Sequence, residues 1–148
     1  MRALLDGAVE LVALALPAEH EPAVAPALAD FAAATPPLPV VFASLGCFPT
    51  AQGVVFLAPV VTRALLALHA RFHAAFAPLT PPGWDDYQPD QWVPHCTLTL
   101  DMPPERLPAA LDLCRRRAAL PLAGRFEQIG VVEFRPVAER CRFPLAGA

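Results

Sequence analysis

The chain contains no lysine. All eleven of its cationic residues are arginine, set against fourteen acidic ones, and the formal net charge is −3. That balance argues against sequence-independent binding to long nucleic acid, which needs a broad basic surface. It leaves room for a short or singly charged phosphate ligand. No apolar stretch comes near the roughly 20 residues of a membrane-spanning helix; residues 54–61 are typical of the longest run, and Pro59 interrupts it. Asp6 and Glu10 break up any apolar segment of a secretory leader, so a cytoplasmic protein is expected. Cys47, Cys96, Cys114 and Cys141 form no CxxC pair and no zinc spacing, which points to reduced, buried thiols. Charged residues make up only 17% of the chain and hydrophobic ones 55%, so the polypeptide is globular, and its 148 residues suffice for one well-packed domain.

What the chain does have is proline, 19 residues of it, and this divides the sequence into short elements. Residues 9–16 form an apolar run read as a buried strand, ended by Pro17. Residues 22–34 suit a helix with Val24, Leu28 and Phe31 on one side; Pro26 disturbs its first turn. Residues 38–48 and 53–60 read as two strands of a hairpin around residues 49–52. Thr62 is an N-cap for a helix reaching residue 77, with Leu65, Leu68, Phe72 and Phe76 along its apolar face. A Pro- and Asp-rich loop over residues 78–91 carries Trp84 and Tyr87. Asp101 is placed to cap a helix over residues 104–118, and strands are expected over 126–134 and 140–143.

Residues 92–100, Trp-Val-Pro-His-Cys-Thr-Leu-Thr-Leu, are the chemically distinctive stretch. Their alternation predicts a strand with His95, Thr97 and Thr99 on one face and Cys96, Leu98 and Leu100 on the other. An imidazole beside hydroxyls suits the holding of an anionic oxygen. A strand with ordinary polar residues on its wet face satisfies the same pattern.

The elements also repeat. Leu14 and Leu98, Leu16 and Leu100, Phe42 and Phe126, Leu45 and Ile129, and Gly46 and Gly130 correspond at one constant offset, with Pro-led helices between them. Two copies of a strand–helix–strand unit, hence a two-lobed molecule with pseudo-twofold symmetry, are expected. In that register His95 falls opposite Leu11 and Thr97 opposite Ala13.

The HxTx motif His95-Cys96-Thr97-Leu98, its Trp92-Val93-Pro94 lead-in and residues 53–59, Gly-Val-Val-Phe-Leu-Ala-Pro, resemble the 2H phosphoesterase superfamily. The likeness is to bacterial 2′-5′ RNA ligase-like proteins (LigT-like RNA cyclic phosphodiesterases) in particular, over nearly the whole chain. The resemblance implies an α+β fold of two lobes, each an antiparallel sheet with flanking helices, around a central cleft. It implies one HxT motif per lobe, a 2′,3′-cyclic phosphate or 2′-5′ phosphodiester substrate, and no metal or other cofactor. Two departures stand out. Leu11-Val12-Ala13-Leu14 occupies the place of the first motif, and only about ten residues precede it where a strand and a helix are usual. The chain therefore reads as shortened at its start, with activity impaired by the loss of one imidazole.

In such chemistry one imidazole removes a proton from water and another protonates the leaving ribose oxygen, while hydroxyls hold the phosphate oxygens. Here His95 is the candidate acid/base and Thr97 the candidate phosphate anchor. Trp92 and Tyr87, with Trp84, are candidates for stacking on a base, and Arg125 is a substrate-binding candidate placed to reach the cleft. Core packing serves the aromatic residues equally well. His69 and His73, at i and i+4 on a helix, lack a visible third metal ligand and read as a solvated face; His20 reads as surface. Arg115, Arg116 and Arg117 read as a solvated helix end. Three functions follow. The first is a phosphoesterase with impaired activity on an RNA end, oligonucleotide or nucleotide phosphoester. The second is a non-catalytic nucleotide- or phosphate-binding relative. The third is a structural protein, as a homodimer covering the apolar surface left by the missing first strand.

Overall fold

In a computed structural model of the chain the described residues are 8–12, 21–48, 50–51, 53–79, 87–133 and 138–147. They form an α+β fold of six strands and three α-helices: β1 (Ala8–Val12), α1 (Glu21–Ala33), β2 (Leu38–Phe48), β3 (Val54–Pro59), α2 (Arg63–Phe76), β4 (Cys96–Thr99), α3 (Leu107–Arg117), β5 (Leu122–Glu133) and β6 (Ala138–Pro144). No helix among them is long and apolar enough to cross a membrane. Residues 13–16 of the expected first strand, His20 and Trp84 lie outside the described residues.

Local chemistry sets most of the boundaries. The Thr62 hydroxyl accepts from the Leu65 amide at 3.1 Å and starts α2, satisfying one of the donors that a helix N-terminus leaves unpaired. Leu65, Leu68, Phe72 and Phe76 are its buried stripe. After one 3₁₀ turn over Ala77–Leu79 the helical stretch ends; Pro78 has no amide hydrogen with which to continue the α-helical ladder. α1 contains Pro26 just beyond its first turn and continues through it, because a proline there removes only one hydrogen bond near an end. Before α3 the chain makes a 3₁₀ turn over Pro104–Arg106 that starts after Pro103, not at Asp101. The expectation of an Asp101 cap is thereby corrected: that residue lies in the left-handed region at φ 54° and turns the chain out of β4.

The chain divides into two compact units. The first comprises residues 1–39, 62–92 and 124–148, and the second residues 40–61 and 93–123. In the first, β5 runs parallel to β1 and antiparallel to β6, and α1 packs against β6. The expectation of purely antiparallel sheets fails at β1. Strands so far apart in sequence are not joined by a tight turn, so no hairpin imposes their direction. Val24, Leu28, Ala32, Leu65, Leu68, Phe72, Phe76, Phe126 and Ile129 form the core, with the Phe31 ring edge-on to Phe72 at 5.4 Å. Thr35, only 2% exposed, is fully engaged. Its hydroxyl donates to the Phe31 carbonyl at 2.6 Å and accepts from the Arg71 guanidinium at 2.9 Å, and its carbonyl accepts from the Ala146 amide at 2.9 Å. A buried polar residue is tolerated when its hydrogen bonds are made.

The second unit is built on β3. β2 pairs with it antiparallel along one edge and β4 antiparallel along the other, while α3 packs on it. Val54, Val55, Phe56 and Leu57 are all buried, and Val40, Phe42 and Leu107 complete the core. The units do not coincide with the two halves of the sequence. Each combines the strand and helix of one half (β1 and α1, or β4 and α3) with the hairpin of the other (β5–β6, or β2–β3).

Gly53 fixes the turn into β3. It sits at φ 50°, its amide donates to the Thr50 carbonyl at 2.9 Å, and its carbonyl accepts from the Met102 amide at 3.3 Å. A Cβ here would run into the Met102 carbonyl. Gly53→Ala should therefore destabilise the protein by about 2–4 kcal/mol, seen as a lower urea midpoint with an unchanged m-value; an unaltered midpoint would refute this reading of the turn.

Candidate active site

His95 lies immediately before β4 and is half-buried, as is Thr97 within it. The His95 ring contacts Phe56 at 5.4 Å between centroids and Phe48 at 5.0 Å, edge-on. Thr97 is the cross-strand partner of Phe56, and paired residues on adjacent strands project to the same face. His95 and Thr97 therefore share the Phe56 face of the second unit. Thr99 does not extend the row. Val55 pairs with Thr99 and Phe56 with Thr97, so Leu98 is an extra residue in β4 and the alternation is broken there. The Thr99 hydroxyl accepts from the Val55 amide at 3.3 Å, a structural bond at the bulge.

The protonation pattern of His95 follows from one contact. Nδ1 lies 2.7 Å from the Val93 carbonyl oxygen. A carbonyl can only accept, so Nδ1 carries the hydrogen and, in the neutral ring, Nε2 bears the free lone pair. That is the tautomer a general base needs. The neighbouring Cys96 pairs with Leu57, and burial pushes its thiol above the ordinary range. It remains a protonated thiol near neutral pH, which removes it as a nucleophile.

The remaining predicted residues lie in the first unit: Trp92, Tyr87 and Arg125. Arg125 is exposed and pairs with Glu127 at 3.7 Å. Tyr87 is 40% exposed. One face of Trp92 is occupied, because the His69 ring stacks on it at 3.9 Å with an interplanar angle of 7°. This corrects the reading of His69 and His73 as a solvated helix face, since both are half-buried. Among the described residues no three His, Cys, Asp or Glu side chains converge as a metal site. Arg115 bonds Asp112 at 2.8 Å, Arg116 also pairs with Asp112, and both are exposed at the end of α3.

The sequence profile of the 2′-5′ RNA ligase superfamily matches residues 9–136. The chain belongs to the 2′-5′ RNA ligase superfamily. Membership in this 2H phosphoesterase group gives the HxTx stretch its context and places the match across most of the chain. No curated protein matches it. Two residues packed against His95 escaped sequence reasoning in this superfamily member, Phe48 of β2 and Phe56 of β3, and with them Gly46 of β2, which lies against Phe56. The signal was present in the hairpin, where Gly46 and Phe56 become partners once the strands are folded together.

Burial and the nearby His73 lower the basicity of His69 below its usual 6.5, outweighing a hydrogen bond with the Tyr87 backbone. The folded protein thus keeps this ring neutral at pH values where the unfolded chain protonates it. The unfolded state then binds more protons, and stability falls as pH drops below about 6.5 and through the depressed folded value. His69→Phe keeps a ring against Trp92 and removes the titration. Its melting temperature should fall less than that of wild type between about pH 7 and 5; parallel curves would show that His69 does not carry the dependence.

Proposed function

We propose that the chain is a 2H-type phosphoesterase acting on 2′,3′-cyclic phosphate or 2′-5′ RNA phosphodiester bonds through His95 and Thr97, at a rate reduced by its single HxT motif. The observation that carries this reading is the Nδ1 hydrogen bond to Val93, which leaves Nε2 as a proton acceptor on the same face as the Thr97 hydroxyl. Nε2 takes a proton from water as the water oxygen bonds to phosphorus. The bond from phosphorus to one ribose oxygen breaks, and that oxygen takes its proton from solvent. Thr97 donates to a phosphate oxygen as negative charge builds on it. Without a second imidazole to protonate the leaving oxygen, the rate falls by roughly 10²–10⁴-fold relative to a two-histidine site. Trp92, Tyr87 and Arg125 are proposed to contact the base and phosphate. An RNA end, an oligonucleotide or a nucleotide phosphoester is the proposed partner, with no cofactor and in the cytoplasm.

The same reading treats residues 1–148 as one two-lobed domain whose halves are pseudo-twofold copies. Its support is internal to each unit. The antiparallel hairpins β2–β3 and β5–β6 occupy matching places in the repeat, and α3 packs on β3 as α1 packs on β6. β1 departs from this scheme, since β4 pairs antiparallel with β3 whereas β1 pairs parallel with β5. Leu11 and Val12, at the expected place of the first motif, lie in β1, where Leu11 pairs with Ile129.

The presence of aliphatic residues at the first motif also favours a second reading, a nucleotide- or phosphate-binding relative without turnover. Hydrolysis of 2′,3′-cyclic nucleotides separates the two. Wild type should turn over slowly, His95→Ala should show no turnover above background, and Thr97→Val should lose on the order of 10²-fold in kcat. Equal activity in wild type and His95→Ala would overturn the catalytic assignment. If wild type is inactive, a nucleotide-dependent rise in melting temperature that His95→Ala abolishes supports the binding reading.

A further inference from the structure

A single hydrogen bond fixes one atom of an imidazole and leaves the ring free to pivot about it. In this protein two phenyl rings pack against the imidazole. Phe48 and Phe56 lie 4.5 Å apart at 33°, and His95 meets Phe48 at 87° and Phe56 at 56°. Phe56 is only 6% exposed, so its own position is determined by packing. Beneath it is Gly46, its partner across the β2–β3 ladder. A Cβ at Gly46 would stand 2.5 Å from both Cε2 and Cζ of Phe56 and 3.3 Å from Cε1. The phenyl ring therefore lies across β2 in the space that any other residue's side chain would fill, an arrangement in which an aromatic neighbour covers a strand glycine.

We propose that Gly46 and Phe56 are a positioning pair for His95, in which the missing side chain on β2 lets the Phe56 ring lie low enough, with Phe48, to hold the imidazole against the Val93 carbonyl. This deepens the reading of His95 as the reacting group and rests on it. Phe56 packs against the His95 ring, and Gly46 acts through Phe56. Their effect passes through ring packing to the plane of the imidazole, and from there to the direction of the Nε2 lone pair. Catalysis is sensitive to such placement: displacements of about 1 Å can cost on the order of 10²-fold in rate.

Gly46→Ala adds one methyl group whose nearest obstacle is the Phe56 ring, and Phe56→Leu removes the ring while leaving β2 unchanged. Both variants are tested by the long-range ¹H–¹⁵N correlation pattern of the His95 ring and by its ring-proton shifts, which sense the currents of Phe48 and Phe56. Wild type should show the Nδ1–H tautomer with shifted ring protons. Each variant should show a mixture of tautomers and ring shifts closer to those of a free histidine. On 2′,3′-cyclic nucleotides, kcat should fall about 10-fold in each while KM changes less than about twofold. Folded variants, judged by dispersed backbone amide spectra, that keep the wild-type tautomer would overturn the proposal. Should Gly46→Ala not fold, Phe56→Leu decides on the tautomer pattern and the split between kcat and KM, since loss of its ring changes the shifts directly. A wild type without turnover defeats the catalytic reading alone; the tautomer pattern still decides whether the pair positions His95.

Discussion

The register of β3 against its two neighbours is the constraint on which the site depends. Because β3 is paired on both edges and covered by α3, its side chains are buried on both faces. The same register places Gly46 and Thr97 opposite Phe56, one on each side. A slip of one residue in either ladder would exchange faces and send Phe56 away from His95. The extra residue Leu98 ends the polar row after Thr97 and gives the Thr99 hydroxyl to a backbone amide. Which hydroxyl faces the imidazole is therefore a property of strand pairing and is not fixed by the motif alone.

Much of this was legible in the sequence where the determinant is local. The N-cap and apolar stripe of α2, the hairpin of β2 and β3, and the common face of His95 and Thr97 all follow from spacings of a few residues. The motif with its lead-in, residues 53–59 and the internal repeat together indicated the superfamily, which the family match over residues 9–136 shows. Features set by pairing between distant segments were not legible. The bulge at Leu98 depends on what β3 offers its partner, the ring over Gly46 depends on a cross-strand register, and the parallel course of β1 beside β5 depends on segments from opposite ends of the chain. Asp101 had the right chemistry for a cap, but its backbone conformation assigns it to a turn.

The Trp92-Val93-Pro94 lead-in carries two separate tasks. The indole of Trp92 packs face to face with His69 of α2, within the first unit. One residue later the Val93 carbonyl sets the hydrogen on His95, within the second. Sequence periodicity assigned His69 to solvent because helical spacing alone does not reveal which loop side chain lies across a helix. The stack covers one face of the imidazole, and burial together with the nearby His73 makes it less basic.

The interleaving of the two units has a bearing on how the polypeptide acquires its structure. The second unit is complete once residue 123 has been made, whereas the first needs strands from both ends of the chain and must wait for residues 124–148. On the ribosome, the portion carrying His95 can thus close while α1 and α2 still lack β5 and β6. Closing ladders between such remote segments is entropically slow, and until the last strands arrive the greasy faces of both helices are surfaces that chaperones would be expected to shield.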